Sequence, residues 1–262
     1  MEKKKVSLLL MTYNNVVNLK KTLESIERQD YPNIEIVISD SLSTDGTVEL
    51  IKEMSAKSKY EFNWISEKDD GLYYALNKDI KRATGEYLLV ANDEFIDKNA
   101  ITKLVDAIER ENSDGAHADL IYADDQIVKR YWRMNKGTIR TGWLPGHPTL
   151  MLKKEVYEEY GDYNCQYKSA SDYEFMIRIL KNGKIKLSYV PEILVRMYYG
   201  GTSTGGVKNY WRSIQEGHEA LINNNMRWAG VIDILRTIRV LKQFIFKKDA
   251  NEKWKVIKKT RG

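Results

Sequence analysis

The segment GEYLLVANDEFID, residues 85–97, is an apolar run that stops at Asn92, Asp93 and Glu94. Asn14, Asp40 and Asp69 also stand where apolar runs end, after VSLLLMTYN, IEIVISD and YEFNWISEKD. A further acidic residue, Asp172, opens the stretch SDYEFMIRIL. Carboxylate and amide oxygens accept hydrogen bonds and ligate hard cations. Gathered at one crevice, such groups suit a charged ligand and the removal of a proton.

The elements that must position them follow an alternating pattern. Val6–Asn14, Ile34–Asp40, residues 60–69 and residues 86–92 read as strands. The intervening NLKKTLESIERQDY, STDGTVELIKEMSAK and GLYYALNKDIKRATG read as helices. Leu19, Leu23 and Ile26 fall at helical spacing, Ser43 or Thr44 caps a helix starting near Thr47, and Gly85 closes the third helix. Alternation up to about residue 110 predicts βαβ units, a parallel sheet, and ligands collected at the carboxyl ends of its strands. After residue 115, ADLIYADDQIV, KRYWRM and GTIRTGW read as shorter, mixed strands. KKEVYEEYG and SDYEFMIRILKNG read as helices, the second capped by Ser171 or Asp172.

Length and composition set the frame. The chain has 262 residues, 42% hydrophobic and 30% charged, enough for a substantial core. Its single cysteine, Cys165, forms no internal disulfide and fits a reducing cytosol as an inert residue. The opening MEKKKVSLLLMTYNN holds too short an apolar run for a signal peptide or a membrane span, and reads as the first strand. Residues 227–262 carry eleven Lys/Arg against three Asp/Glu, so the basic charge sits in the tail and the body is mildly acidic. With three histidines and no HExxH spacing, a histidine-based metal centre is not expected.

TYNN, SDSLSTDGT, EKDDGLYYALNKDIKRATGEY and SASDYEFMIRI, in that order, resemble the family 2 glycosyltransferases of the GT-A fold, in the branch that builds bacterial surface polysaccharides. The resemblance covers roughly residues 5–205. It implies an α/β fold with a Rossmann-like, mostly parallel central sheet flanked by helices. A glycosyltransferase domain would occupy 1–226, its nucleotide-binding half 1–115 and its acceptor-side half 116–226, followed by a basic amphipathic helical tail at 227–262.

The resemblance also implies roles. Thr12, Tyr13 and Asn14 would lie against the nucleotide, and Asp40 would accept a hydrogen bond from a uracil-like ring N–H, unless it only caps the following turn. Asp69 matches an acidic donor-binding position, and Lys78 would offer charge to a phosphate or else be solvated. Tyr74 departs from the family, where many members carry Asp. Asn92-Asp93-Glu94 aligns with the family's Asp-x-Asp element: Glu94 and Asp93 would hold Mn2+ or Mg2+, and Asn92 would face a ribose hydroxyl. Asp172 would be the general base of an inverting transfer. Trp143, His147 and Arg196 would serve acceptor or diphosphate, although a core role for Trp143 is as consistent with the sequence. Met197–Gly206 resembles a mobile loop near the diphosphate.

From Gly230 onward, Val231, Ile234, Leu235, Ile238, Leu241 and Ile245 form an apolar stripe, with Arg236, Arg239 and Lys242 off it. The expected partners are a nucleotide-sugar donor, a lipid-linked saccharide acceptor and an anionic membrane surface met by this tail. The competing reading packs the tail on the body or on a second copy, as a homodimer. No nucleic-acid module is apparent. The expected enzyme is a cytoplasmic, hexosyltransferase-type protein at the inner face of the cell membrane. The alternative is a noncatalytic sugar-nucleotide or polysaccharide-binding subunit of the same fold. A nucleotidyltransferase is disfavoured because the first strand turn lacks a glycine-rich phosphate loop.

Overall fold

The computed structural model describes residues 3–124, 126–198, 207–245 and 250–255. Residues 199–206 of the glycine-rich segment lie outside them. The first half places β1 (Val6–Thr12), β2 (Ile34–Asp40), β3 (Glu61–Ser66) and β4 (Tyr87–Val90) side by side in the order β3-β2-β1-β4, all parallel. Every residue of β1, β2 and β4 is buried, as uninterrupted apolar runs covered on both faces require. Alternate β1 side chains serve two cores. Leu8 and Leu10 pack with α1 (Val16–Glu27) and α4 (Ala100–Glu111), while Leu9 and Met11 pack with α3 (Leu72–Arg82) and α6 (Ser171–Leu180). Register sets the functional rim: Thr12 pairs with Asp40 and Asp40 with Ser66, so three strands end level.

The second half extends the sheet. The short β8 (Met151–Lys153) inserts antiparallel between β4 and β6 (Gly115–Ala123); β9 (Leu187–Met197) runs parallel to β6, and β5 (Glu94–Phe95) antiparallel to β9. β7 (Val128–Trp132) pairs antiparallel with β6. Of the nine strands among the described residues only β5, β7 and β8 run against the rest, which gives the mixed, mostly parallel sheet expected.

Several local expectations are corrected. GTIRTGW is not a strand but a 3-10 turn at Ile139–Thr141 followed by Gly142 in the left-handed region. A Cβ on Gly142 would lie 2.4 Å from the Arg236 backbone nitrogen, so this glycine lets the tail helix approach. The helix α2 (Thr47–Lys57) begins where expected, but Asp45, not Ser43 or Thr44, accepts from the Thr47 N–H at 3.1 Å and its hydroxyl at 2.6 Å. Helix α6 has Ala170 at its N-cap without a side-chain cap; Glu216 of α7 (Val207–Asn223) accepts from the N–H groups of Ser169 and Ala170 at 2.7 and 3.1 Å. β9, the longest strand among the described residues, carries no clear strand pattern in sequence because Pro191 interrupts it. The register against β6 jumps from Val190 to Ile193, leaving Pro191 and Glu192 exposed in a bulge.

The tail forms α8 (Ala229–Ile245), which docks by its polar side. Arg236 lies over the Tyr173 ring at 4.4 Å, Arg239 Nε donates to Thr141 O at 2.9 Å, and Ile232 and Gln243 are buried. The apolar stripe faces outward: Ile234, Leu241 and Ile245 are 63%, 58% and 69% exposed. No described helix is long and apolar enough to cross a membrane.

Gly85 proves to be a packing position and not the cap of α3, which ends at Arg82 with Ala83 extended. A Cβ at Gly85 would meet Ser7 N at 2.8 Å and Lys5 O at 2.9 Å, both backbone atoms of the edge of β1. Gly85→Ala is expected to lower unfolding free energy by about 1–3 kcal/mol through this overpacking, measured by urea denaturation. Unchanged stability would show that the contact relaxes freely.

Candidate active site

The level ends of β1, β2 and β3 are tied together by Asp40. Its carboxylate accepts from the Ser43 N–H at 3.0 Å, from the Ser66 hydroxyl at 2.6 Å and from the Ser43 hydroxyl. A carboxylate offers about four lone-pair positions, and these serines take three of them in a residue that is wholly buried. Asn14, left-handed at φ 45, donates its N–H to Ser43 Oγ at 2.8 Å and accepts from Thr44 N at 2.8 Å. Thr12 is buried with no partner for its hydroxyl among the described residues, and the Tyr13 ring beside it is 64% exposed. One edge of the crevice thus presents an unmet hydroxyl and a bare aromatic face.

Asp69 accepts from Ser41 Oγ at 3.2 Å and pairs with Lys78 Nζ at 2.7 Å. Lys78 also pairs with Glu67. Its pKa is raised by the bond to Asp69 and then by Glu67. The ammonium thus braces the loop before α3 and is already shared between two carboxylates. Tyr74 is exposed on the outer side of α3.

Asn92 is a tie between strands. Its Oδ1 accepts from Met11 N at 3.0 Å and its carbonyl from Thr22 Oγ1 at 3.2 Å. Asp93 and Glu94, adjacent in sequence, have opposite surroundings. Burial raises the Asp93 carboxyl to about 7, partly countered by a hydrogen bond from the Tyr198 backbone. Glu94 is buried in β5 opposite Arg196 of β9, with Oε2 3.1 Å from Arg196 Nε and Oε1 3.9 Å from Arg28. Arg196 is itself enclosed between the Tyr198 and Trp254 rings, each 5.4 Å away.

For a divalent cation, Asp93 fits and Glu94 does not. A half-buried carboxylate whose proton is held by burial gains from a hard cation, whereas Glu94 is balanced by two guanidinium groups that repel one. Among the described residues no group of three His, Cys, Asp or Glu gathers as a metal cage. Mg2+ or Mn2+ needs only one or two protein carboxylates when phosphates supply the rest.

Asp172, in the first turn of α6, accepts from the Tyr73 hydroxyl at 3.1 Å and from Tyr173 N at 2.8 Å. Tyr73, on α3, has its pKa driven far up by burial and then by Asp172, so it stays a donor. Burial lowers the pKa of His147, with Asp172 pulling it back, and its Nε2 lies 2.7 Å from Tyr163 OH. Burial raises the pKa of Tyr122 of β6, with Arg130 opposing and Asp93 and Asp172 adding to it. The fold therefore brings Asp172 onto Tyr73 and His147 onto Tyr163, and the two tyrosine rings stack 6.0 Å apart. It does not bring Trp143 there: the indole donates to Met134 O at 2.8 Å and packs edge-on against His117, 5.4 Å away.

Sequence reasoning missed Tyr73 and Tyr122. Tyr73 meets a partner ninety-nine positions away, and no local pattern marks that contact.

The parallel half-sheet with its carboxylate-lined carboxyl rim defines an α/β architecture with an acidic strand-end crevice. Residues 7–175 match the model of glycosyl transferase family 2, and the chain belongs to that family. It is 26% identical over 247 residues to a PGL/p-HBAD biosynthesis glycosyltransferase of Mycobacterium tuberculosis, spanning 88% of this chain and 95% of that protein. A dolichyl N-acetyl-alpha-D-glucosaminyl phosphate 3-beta-D-2,3-diacetamido-2,3-dideoxy-beta-D-glucuronosyltransferase of Methanococcus voltae is 26% identical over 224 residues, spanning 76% of this chain and 68% of that one. The S. aureus TarS 1–349 structure in complex with UDP superposes with a TM-score of 0.66 at 18% identity, covering 94% of this chain and 73% of that one.

Glu94→Gln removes the charge that balances Arg196. The expected loss of unfolding free energy is about 3–5 kcal/mol, read by urea denaturation. Intact stability with lost Mn2+-dependent UDP binding would instead assign Glu94 to the metal.

Proposed function

We propose that this glycosyltransferase is an inverting, metal-dependent enzyme that moves a hexose-type sugar from a uridine diphosphate donor to a lipid-linked saccharide in surface polysaccharide or glycolipid synthesis. The observation that carries the reading is Asp172: a carboxylate in the first turn of a helix, held by the Tyr73 hydroxyl at 3.1 Å. The UDP complex of TarS supports the donor class. The dolichyl phosphate in the Methanococcus relative's name supports a lipid-linked acceptor.

In this reading the Tyr13 ring packs on the base, and Asp40 accepts the ring N–H. Asp93 would hold Mn2+ or Mg2+, which supplies charge neutralisation to the diphosphate as it departs. Asp172 accepts the proton of the acceptor hydroxyl while that oxygen bonds to the anomeric carbon. The carbon's bond to the diphosphate oxygen breaks on the opposite face, and configuration inverts. The Tyr73 hydroxyl fixes the Asp172 carboxylate. No side-chain nucleophile is involved.

The outward stripe of α8 supports a peripheral seat on an anionic membrane at the cell's inner face. Val231, Ile234, Ile238, Leu241 and Ile245 would enter the headgroup boundary, with the exposed Lys242, Lys253 and Lys255 against the lipid charge.

Asp172→Asn is expected to lower kcat by roughly 10²–10⁴-fold while UDP affinity, read by calorimetry with Mn2+, stays unchanged. Full turnover in the variant removes the base assignment. UDP binding without transfer from any donor in a nucleotide-sugar panel would favour the noncatalytic binding subunit. For the tail, Ile234→Asp combined with Leu241→Asp should release the protein from vesicles containing phosphatidylglycerol in a sedimentation assay, with UDP binding retained. Equal sedimentation of both forms would reject the membrane role.

A further inference from the structure

A cavity of about 440 Å3 lies away from the rim just described. Its wall includes His117, early in β6 and so toward the end of the sheet opposite Thr12 and Asp40, and the residues that close α6 after Leu180. Leu180 is eight positions along α6 from Asp172, about 12 Å at the helical rise. The volume falls in the range of small-ligand sites.

The lining has a distinct chemistry. Lys136, Arg140 and Lys181 contribute to it and no carboxylate does. Lys181 is turned toward Asn224, 3.0 Å from its Oδ1, and Lys136 stands 3.6 Å from Glu111. Arg140, exposed on the 3-10 turn, is the cation left to meet a ligand. Trp143 and Leu187 give apolar wall, and Thr138 and Asn182 give hydroxyl and amide groups. His117 is 1% exposed, stacked on Tyr189 at 5.2 Å, and its Nδ1 has no hydrogen-bond partner among the described residues. Burial holds its pKa down to about 4, so at neutral pH the ring is uncharged and offers one donor and one acceptor. An unmet buried imidazole on a wall that is otherwise cationic, amide-bearing and partly apolar suits a hydroxylated ring with a negative substituent.

We propose that this cavity is a second saccharide subsite that takes an acidic sugar unit, bearing a carboxylate or a phosphate, with Arg140 meeting the anionic group and His117 and Asn182 the hydroxyls. As a subsite for the growing glycan it rests on the transferase reading above, holding a unit of the acceptor remote from the reacting hydroxyl. A free sugar phosphate shares the same chemistry.

The test is calorimetric titration of the full chain with a glucuronate-containing tetrasaccharide, with glucose 6-phosphate, and with an uncharged tetrasaccharide as control. At least one charged probe is expected to bind tenfold or more tightly than the control, without displacement by excess UDP. Arg140→Glu should weaken that binding at least tenfold and leave UDP affinity unchanged. A tighter tetrasaccharide identifies the acceptor glycan as the source; a tighter sugar phosphate identifies a small metabolite. Equal binding of charged and uncharged probes, displacement by UDP, or indifference to Arg140→Glu overturns the proposal. Charged-sugar binding in a protein that takes no UDP would leave the subsite standing and remove the transferase reading.

Discussion

Everything at the rim depends on three parallel strands ending at the same level and being held there by one buried carboxylate. Asp40 collects donors from the loop after β2 and from the end of β3. Because parallel strands need long crossovers, each strand end is followed by a loop that can carry function. Asn14 and Asn92 add hydrogen bonds across those loops. The crevice is therefore preorganised by polar ties whose cost is met inside the fold, before any ligand arrives.

Those ties sort the acidic residues into two groups. Asp40, Asp69 and Glu94 are largely committed, to serines, to Lys78 and to Arg196 respectively. Burial favours the protonated form of Asp93, and Asp172 is held by the Tyr73 hydroxyl and a backbone N–H. Catalytic and ligating groups need incomplete satisfaction, since a carboxylate already paired with arginine has little left to give a cation or a proton.

The tail shows the same logic applied to a surface. Its arginines face inward, onto Tyr173 and Thr141, and its isoleucines and leucines face outward. An exposed apolar stripe on a helix is costly in water and marks an interaction surface. A helix whose polar side is already docked can present that stripe without leaving the body.

The alternation of apolar runs and helical spacing determined the parallel half-sheet, because strands buried on both faces leave continuous hydrophobic signatures. The order of short motifs determined the family, and Asp172 was legible as a helix-opening acid. The sequence alone misread the turn at Ile139–Thr141 and passed over β9. Close approach at Gly142 and the bulge at Pro191 depend on neighbours distant in the chain. Local sequence likewise makes Asp93 and Glu94 equivalent, two adjacent carboxylates after a strand. Only the tertiary structure decided between them, by pairing β5 with β9 and bringing Arg196 onto one and not the other. The physical reason is that ionic character is set by what surrounds a group in space.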